Sequence, residues 1–136
     1  MLDAVCRAVL TLWVGSLWTI GYLVAPALFA LLDDRAIAGR IAGELFHIEL
    51  WVTLACAPAF VLCELAQRRR GFRLAAPVLI LGAQLVIEIL LRPRIAASAP
   101  GTSTFAWLHG VAAMLYLSAS LLGLWLVVAR PRVGAA

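Results

Sequence analysis

Four long apolar runs, roughly 5–32, 45–65, 72–91 and 105–129, constrain this chain more than any motif in it. Each reaches the ~20 residues that a helix rising about 1.5 Å per residue needs to cross ~30 Å of hydrocarbon. A peptide group in lipid has no water to bond to, so the runs must be helices that satisfy their own backbones. Stretches such as APVLILGAQLVI and LLGLWLVVA are apolar on every side, without the one-faced stripe of a soluble bundle. With 65% hydrophobic and 13% charged residues, the composition lies outside the soluble range. The fold class is therefore all-α integral membrane. We expect one four-transmembrane-helix bundle over the 136 residues, with spans at about 5–32, 36–67, 72–92 and 104–130 and no legible internal repeat. A cleaved leader is a poor account of the first run, which is too long for a signal core and places Pro26 directly after Leu23-Val24-Ala25.

Arginine sets the orientation, there being no lysine. Arg7, Arg68, Arg69, Arg70, Arg73, Arg130 and Arg132 fall on the side of the termini, with Asp3 and Glu64. Only Arg35, Arg40, Arg92 and Arg94 fall on the other, against Asp33, Asp34, Glu44, Glu49 and Glu88. The positive-inside rule then places both termini in the cytoplasm of a bacterium, the protein being multi-pass in its cytoplasmic (inner) membrane. The basic excess is a topology signal and implies no nucleic-acid partner. Arg68, Arg69, Arg70 and Arg73 are expected to anchor the central loop at anionic lipid headgroups.

Small residues mark expected helix contacts at Gly15, Gly21, Gly39, Gly43 and Gly110, where backbones can approach closely. Pro26 predicts a kink in the outer half of the first span, and Pro58 an interruption in the second that a neighbour must cover. Asp33 and Asp34 should end the first helix and cap the second. Arg92-Pro93-Arg94 should stop the third, leaving 95–104 as a small polar linker with Ser103 or Thr104 as the next cap. Cys6, Cys56 and Cys63 form no disulfide framework; small apolar packing residues are the plain reading, a soft-metal thiolate site the sharper one.

The chemistry, if any, should lie at one depth. Glu44, His47 and Glu49 near the outer entrance of the second span, Glu88 near the end of the third and His109 one turn into the fourth are all expected at the outer interface. Glu44 and His47 share a face at the Glu-x-x-His spacing that bundle metal sites use. A transition metal held by Glu44, His47, Glu88 and His109, or a haem between His47 and His109, competes here with wetted headgroup residues in which Glu88 pairs with Arg92. Glu49, about 200° around the helix from His47, should face another partner or water. No phosphate loop, nucleophile elbow or CxxC pair is present, so no catalytic residue is assigned.

Several segments carry a resemblance: Gly15 to Gly21, Pro26-Ala27-Leu28-Phe29, Ala38 to Phe46, Arg92-Pro93-Arg94-Ile95 and Phe105 to Gly110. In that order they resemble the bacterial membrane proteins grouped as domain of unknown function 4149, similar to eukaryotic transmembrane protein 205. The resemblance implies a four-helix membrane protein, and through relatives linked to tolerance of a platinum drug it points faintly to metal or small-solute handling. His109 lies within these segments and His47 just outside them. The leading expectation is a non-catalytic protein that handles, transports or senses a metal ion or small solute at its outer face. A thin bundle would more readily form a path between subunits of a homo-oligomer than within one. A haem- or metal-linked redox enzyme using His47 and His109, and a structural subunit bound to another membrane protein, are the alternatives.

Overall fold

The computed structural model describes residues 1–129, and among them every regular element is a helix. Arg130, Arg132 and the expected end of the fourth span lie outside the described residues. Four helices are long and apolar enough to cross a membrane: α1 (Leu2–Leu31), α2 (Arg35–Ala66), α3 (Phe72–Ala97) and α4 (Ser103–Val128). Consecutive helices pack side by side and α4 returns against α1, closing an up-down-up-down ring. At 32 residues α2 is about 48 Å long, more than the hydrocarbon is thick, as its expected projection beyond the membrane requires.

The turn after α1 is short because Asp34 caps α2 at once. Its Oδ1 accepts from the Ala36 and Ile37 amides at 2.7 and 3.1 Å, satisfying two of the donors that a helix start leaves bare. At α4 the cap is Thr102, one residue before the expected pair, with Oγ1 accepting from Phe105 N. The opposite end of the bundle holds the loop Gln67–Gly71, where Arg68 (φ 55) and Gly71 (φ 93) turn the chain through the left-handed region.

Proline acts differently from expectation. α1 is wound as a π-helix over Thr19–Val24 immediately before Pro26, and α3 as a π-helix over Val86–Leu91 immediately before Pro93. In each case the last amide before proline bonds five residues back, Ala25 to Ile20 and Arg92 to Ile87. Widening the turn absorbs a residue that cannot donate, so the helix continues. Arg92-Pro93-Arg94 thus does not stop α3, which runs on to Ala97 and shortens the linker to 98–102. The same device recurs 67 residues apart (19 to 86, 26 to 93), a local repeat that the side chains conceal. Pro58 leaves α2 α-helical throughout and lies exposed on its surface, with no neighbour covering it.

The apolar core fills only the half of the bundle nearest the arginine loop, with Trp13, Leu17, Phe60, Ile80 and Leu126 at its centre. In the half nearest Asp34 the buried apolar side chains are small or few: Ala25, Ala38, Ala42, Leu91 and Leu108. A Cβ at Gly123 would lie 3.2 Å from Val14 of α1, whereas Gly15 and Gly110 face open space. Gly39 makes only ordinary contact with Phe29, and Gly43 with Arg92.

Below the core a charged clasp joins all four helices. Glu64 is fully buried; Oε1 accepts from Arg69 Nη1 at 3.2 Å and Oε2 from Arg73 Nε at 2.8 Å. Arg69 also donates to Asp3 on α1 at 2.8 Å, and Arg73 Nη1 to the Leu126 and Ala129 carbonyls at 3.0 and 2.7 Å. Those carbonyls end α4 and have no helical donors, so the cation both satisfies them and complements the negative end of the dipole. The Arg73 guanidinium lies over the Phe60 ring at 5.6 Å. Of the four arginines expected at lipid headgroups, Arg69 and Arg73 are therefore turned into the protein, while Arg68 and Arg70 stay exposed. Removing Glu64 strands two guanidinium groups. Glu64→Ala should cost about 3 kcal/mol in a denaturant titration in mixed micelles, and Arg70→Ala less than about 0.5 kcal/mol.

Candidate functional site

Three of the ionisable residues expected at one depth do meet near the Asp34 end, and they bring a fourth partner. Arg92 donates through Nη2 to Glu44 Oε1 at 2.6 Å and through Nη1 to Glu88, tying α2 to α3. His47 Nδ1 lies 2.7 Å from the same Glu88 Oε1, and Trp51 Nε1 donates to His47 Nε2 at 3.1 Å. An indole N–H can only donate, so His47 Nε2 accepts and the ring proton sits on Nδ1, facing Glu88. Both imidazole nitrogens and both carboxylates are thereby committed to protein partners.

His109 does not join this cap. It is exposed, and its ring stacks on Phe105 one turn earlier at 5.9 Å. Among the described residues no three His, Cys, Asp or Glu side chains come together as a metal would require. Gly110 and Trp107 line a shallow apolar groove of about 450 Å³ on the outside of α4, away from the cap.

The unexpected site lies deeper. Ser16, Glu49, Gln84 and Tyr116 each fall within two residues of the midpoint of their helix, so all four helices place a polar side chain at one level. Glu49 is fully buried against α1: Ser16 Oγ, which donates to the Trp13 carbonyl at 2.7 Å, lies 3.1 Å from Glu49 Oε1. One turn on, Thr53 is also fully buried, and its Oγ1 accepts from Trp13 Nε1 at 2.8 Å. Glu49 Oε2 has no partner, nor has Nε2 of buried Gln84. No basic side chain pairs with Glu49 among the described residues. A buried carboxyl without a counter-ion is costly in hydrocarbon, which marks such residues as functional sites.

Tyr116 organises this level. Its hydroxyl donates to the Leu17 carbonyl of α1 at 2.7 Å, and its ring meets Phe46 of α2 edge-on at 5.0 Å. It can come so close only because residue 21 is glycine: a Cβ there would overlap the Tyr116 ring. Between this level and the cap lies a cavity of about 20 Å³ bounded by Phe46, Leu50, Gln84, Ile87, Glu88 and Tyr116.

Glu49 was expected near the outer entrance of the second span, facing another partner or water; it lies instead near the midpoint of α2 and is fully buried in the bundle. The signal for the level was present in the sequence: Glu49 and Gln84 are polar residues in the interior of apolar spans, which is where such residues seldom occur without a role.

Fold and site together define a multi-pass, four-helix membrane-spanning bundle with an ionisable interior. A family model, domain of unknown function (DUF4149), matches residues 8–101, from the first helix through the cap and the linker. The chain belongs to this family. No curated protein and no solved structure matches it.

Gly21→Ala should cost about 1–3 kcal/mol by overpacking, read from denaturant titration in mixed micelles. In a Tyr116→Ala background, which removes the ring, the same change should cost less than about 0.5 kcal/mol.

Proposed function

We propose that this is a non-catalytic protein of the bacterial cytoplasmic membrane that exchanges a proton with its outer face at Glu49, and that this exchange underlies its sensing or handling of a small solute there. The observation that carries the reading is Glu49 itself: fully buried at mid-bundle, without a counter-ion, and with one oxygen unpartnered. Gaining or losing a proton changes the charge on this carboxyl, and with it the cost of burying it, by several kcal/mol. Proton occupancy and helix packing are thus linked energetically. Groups facing Glu49 are few: Ser16 and Trp13 from α1, Thr53 and Cys56 on its own helix, and Tyr116 from α4. None is cationic. A proton suits the interior better than a larger cargo, since the adjoining cavity is about 20 Å³ and a single water already requires roughly 10–15 Å³.

The side of exchange follows from the packing and the charges. Toward the arginine loop the carboxyl is followed by the dense apolar core and the Glu64 clasp; toward Asp34 it is followed by small side chains, the cavity and the cap. Arginine excess assigns the clasp to the cytoplasm and the cap to the outer face.

Infrared difference spectra between two pH values should show a protonated-carboxyl band that Glu49→Gln abolishes and Glu44→Gln, at an exposed position, leaves. An unchanged spectrum in Glu49→Gln refutes the reading. Orientation has a separate check. In a chain with Cys6, Cys56 and Cys63 replaced by serine, an impermeant thiol reagent added to cells should label Ala99→Cys and spare Arg70→Cys; the reverse pattern inverts the topology.

A further inference from the structure

The two groups left without partners in the interior, Glu49 Oε2 and Gln84 Nε2, lie on either side of the same structural question: how a proton reaches Glu49 from outside. We infer that the cavity bounded by Gln84, Glu88 and Tyr116 is a water site that connects the His47–Glu88–Arg92 cap to Glu49, with Gln84 and Tyr116 as its positioning residues. The inference rests on the reading of Glu49 as a proton-exchanging carboxyl.

Three independent features converge on the cavity. Its volume, about 20 Å³, holds one water and excludes anything much larger. A water there needs two to four polar partners, and the walls offer them: the unpartnered amide of Gln84, which is 5% exposed, the Glu88 carboxylate, and the Tyr116 hydroxyl. Finally, two of the walls, Ile87 and Glu88, stand on the π-helical stretch of α3, where the widened turn rotates Glu88 toward both Arg92 and the interior. Tyr116 carries the path inward, since it lines the cavity and stands at the mid-helix level of Glu49.

The transfer balances with water as its sole co-reactant. A proton from the outer solution is taken up at His47 Nε2 as the Trp51 hydrogen bond opens, and the Nδ1 proton passes to Glu88 Oε1, leaving the imidazole neutral. Glu88 gives a proton to the cavity water while that water gives one to the Tyr116 oxygen, whose own hydrogen leaves the Leu17 carbonyl and passes to the Glu49 carboxylate. One O–H bond is broken at Glu88, one is formed at Glu49, and one positive charge has moved inward. Release runs the same steps in reverse. The other charged groups beside the cap are Glu44 and Arg92, bound to each other, and Arg92 also donates to Glu88 Oε1 at the cavity wall.

The test follows hydrogen–deuterium exchange of the Glu49 carboxyl band after the whole protein in detergent is moved into heavy water. Gln84→Leu, which removes the amide and fills the cavity, should keep the band and slow its exchange on the order of a hundredfold. Ile87→Phe fills the same space from the next turn of α3 and should do likewise, so a folding failure of one variant leaves the other to decide. Asp33→Asn, at an exposed position outside the cap and the cavity, should exchange at the wild-type rate. A band that is present and exchanges at the wild-type rate in both cavity variants overturns the route while leaving the Glu49 reading in place. A wild-type protein with no Glu49 band overturns the Glu49 reading, and the route with it.

Discussion

A backbone in lipid must satisfy every donor and acceptor from within the protein, and this chain meets that requirement with two prolines in the halves of its spans nearest Asp34. Each removes a donor, and each is preceded by a six-residue π-helix that shifts the bonding by one residue so the helix does not break. Much of that half depends on this compromise. A π turn is wider than an α turn and packs less densely against its neighbours, which fits the small, sparse buried side chains of that half. It also leaves the Leu17 carbonyl available to a second donor, and Tyr116 takes it.

Density and polarity are therefore distributed along the bundle in opposite directions. Near the arginine loop, Trp13, Leu17, Phe60 and Ile80 interdigitate, and the clasp holds the ends of all four helices by charge-assisted bonds. That half has the interactions that fix a single packing. Near Asp34 the contacts are one turn-capping aspartate, one arginine between two glutamates, and a histidine held by an indole. Bonds of this kind can be exchanged with water at modest cost, since the residues are only partly buried. Local opening should therefore begin at the Asp34 end and stop at the level of Glu49.

The span count and the Asp34 cap were legible in the sequence because each rests on a local rule: hydropathy over a span and a carboxylate before a helix. The Glu88–Arg92 pair was legible for the same reason, at spacing i,i+4. What was not legible depends on how two helices are rotated about their axes, which no local rule fixes when the helices are apolar all round. Glu64 and Arg73 are nine residues apart across a loop, and only the rotation of α2 and α3 brings them together. His47 and His109 were grouped by depth alone, yet depth is one coordinate of two; the rotation of α4 turns His109 outward onto Phe105. The expected glycine contacts divide for the same reason: Gly21 lies hard against the Tyr116 ring of α4, while Gly15 and Gly110 are rotated toward open space.

The family match extends over residues 8–101, and so covers Ser16, Glu49, Gln84, Glu88 and Arg92 but not Tyr116. This division bears on how the interior level is built. The first three helices supply the carboxyl, its hydroxyl partner and the amide at the cavity, so the acid and its immediate surroundings belong to one contiguous unit. α4 contributes the phenol that presses on Gly21, reaches Leu17 and closes the cavity. A tyrosine in that position couples the packing of α4 on α1 to the polarity around Glu49, because the ring cannot shift without both releasing the Leu17 carbonyl and opening the cavity wall. A change of charge at Glu49 would then be felt first as a change in the seat of α4, whose far end is tied to α3 through Arg73 and the packing of Trp125 on Phe72.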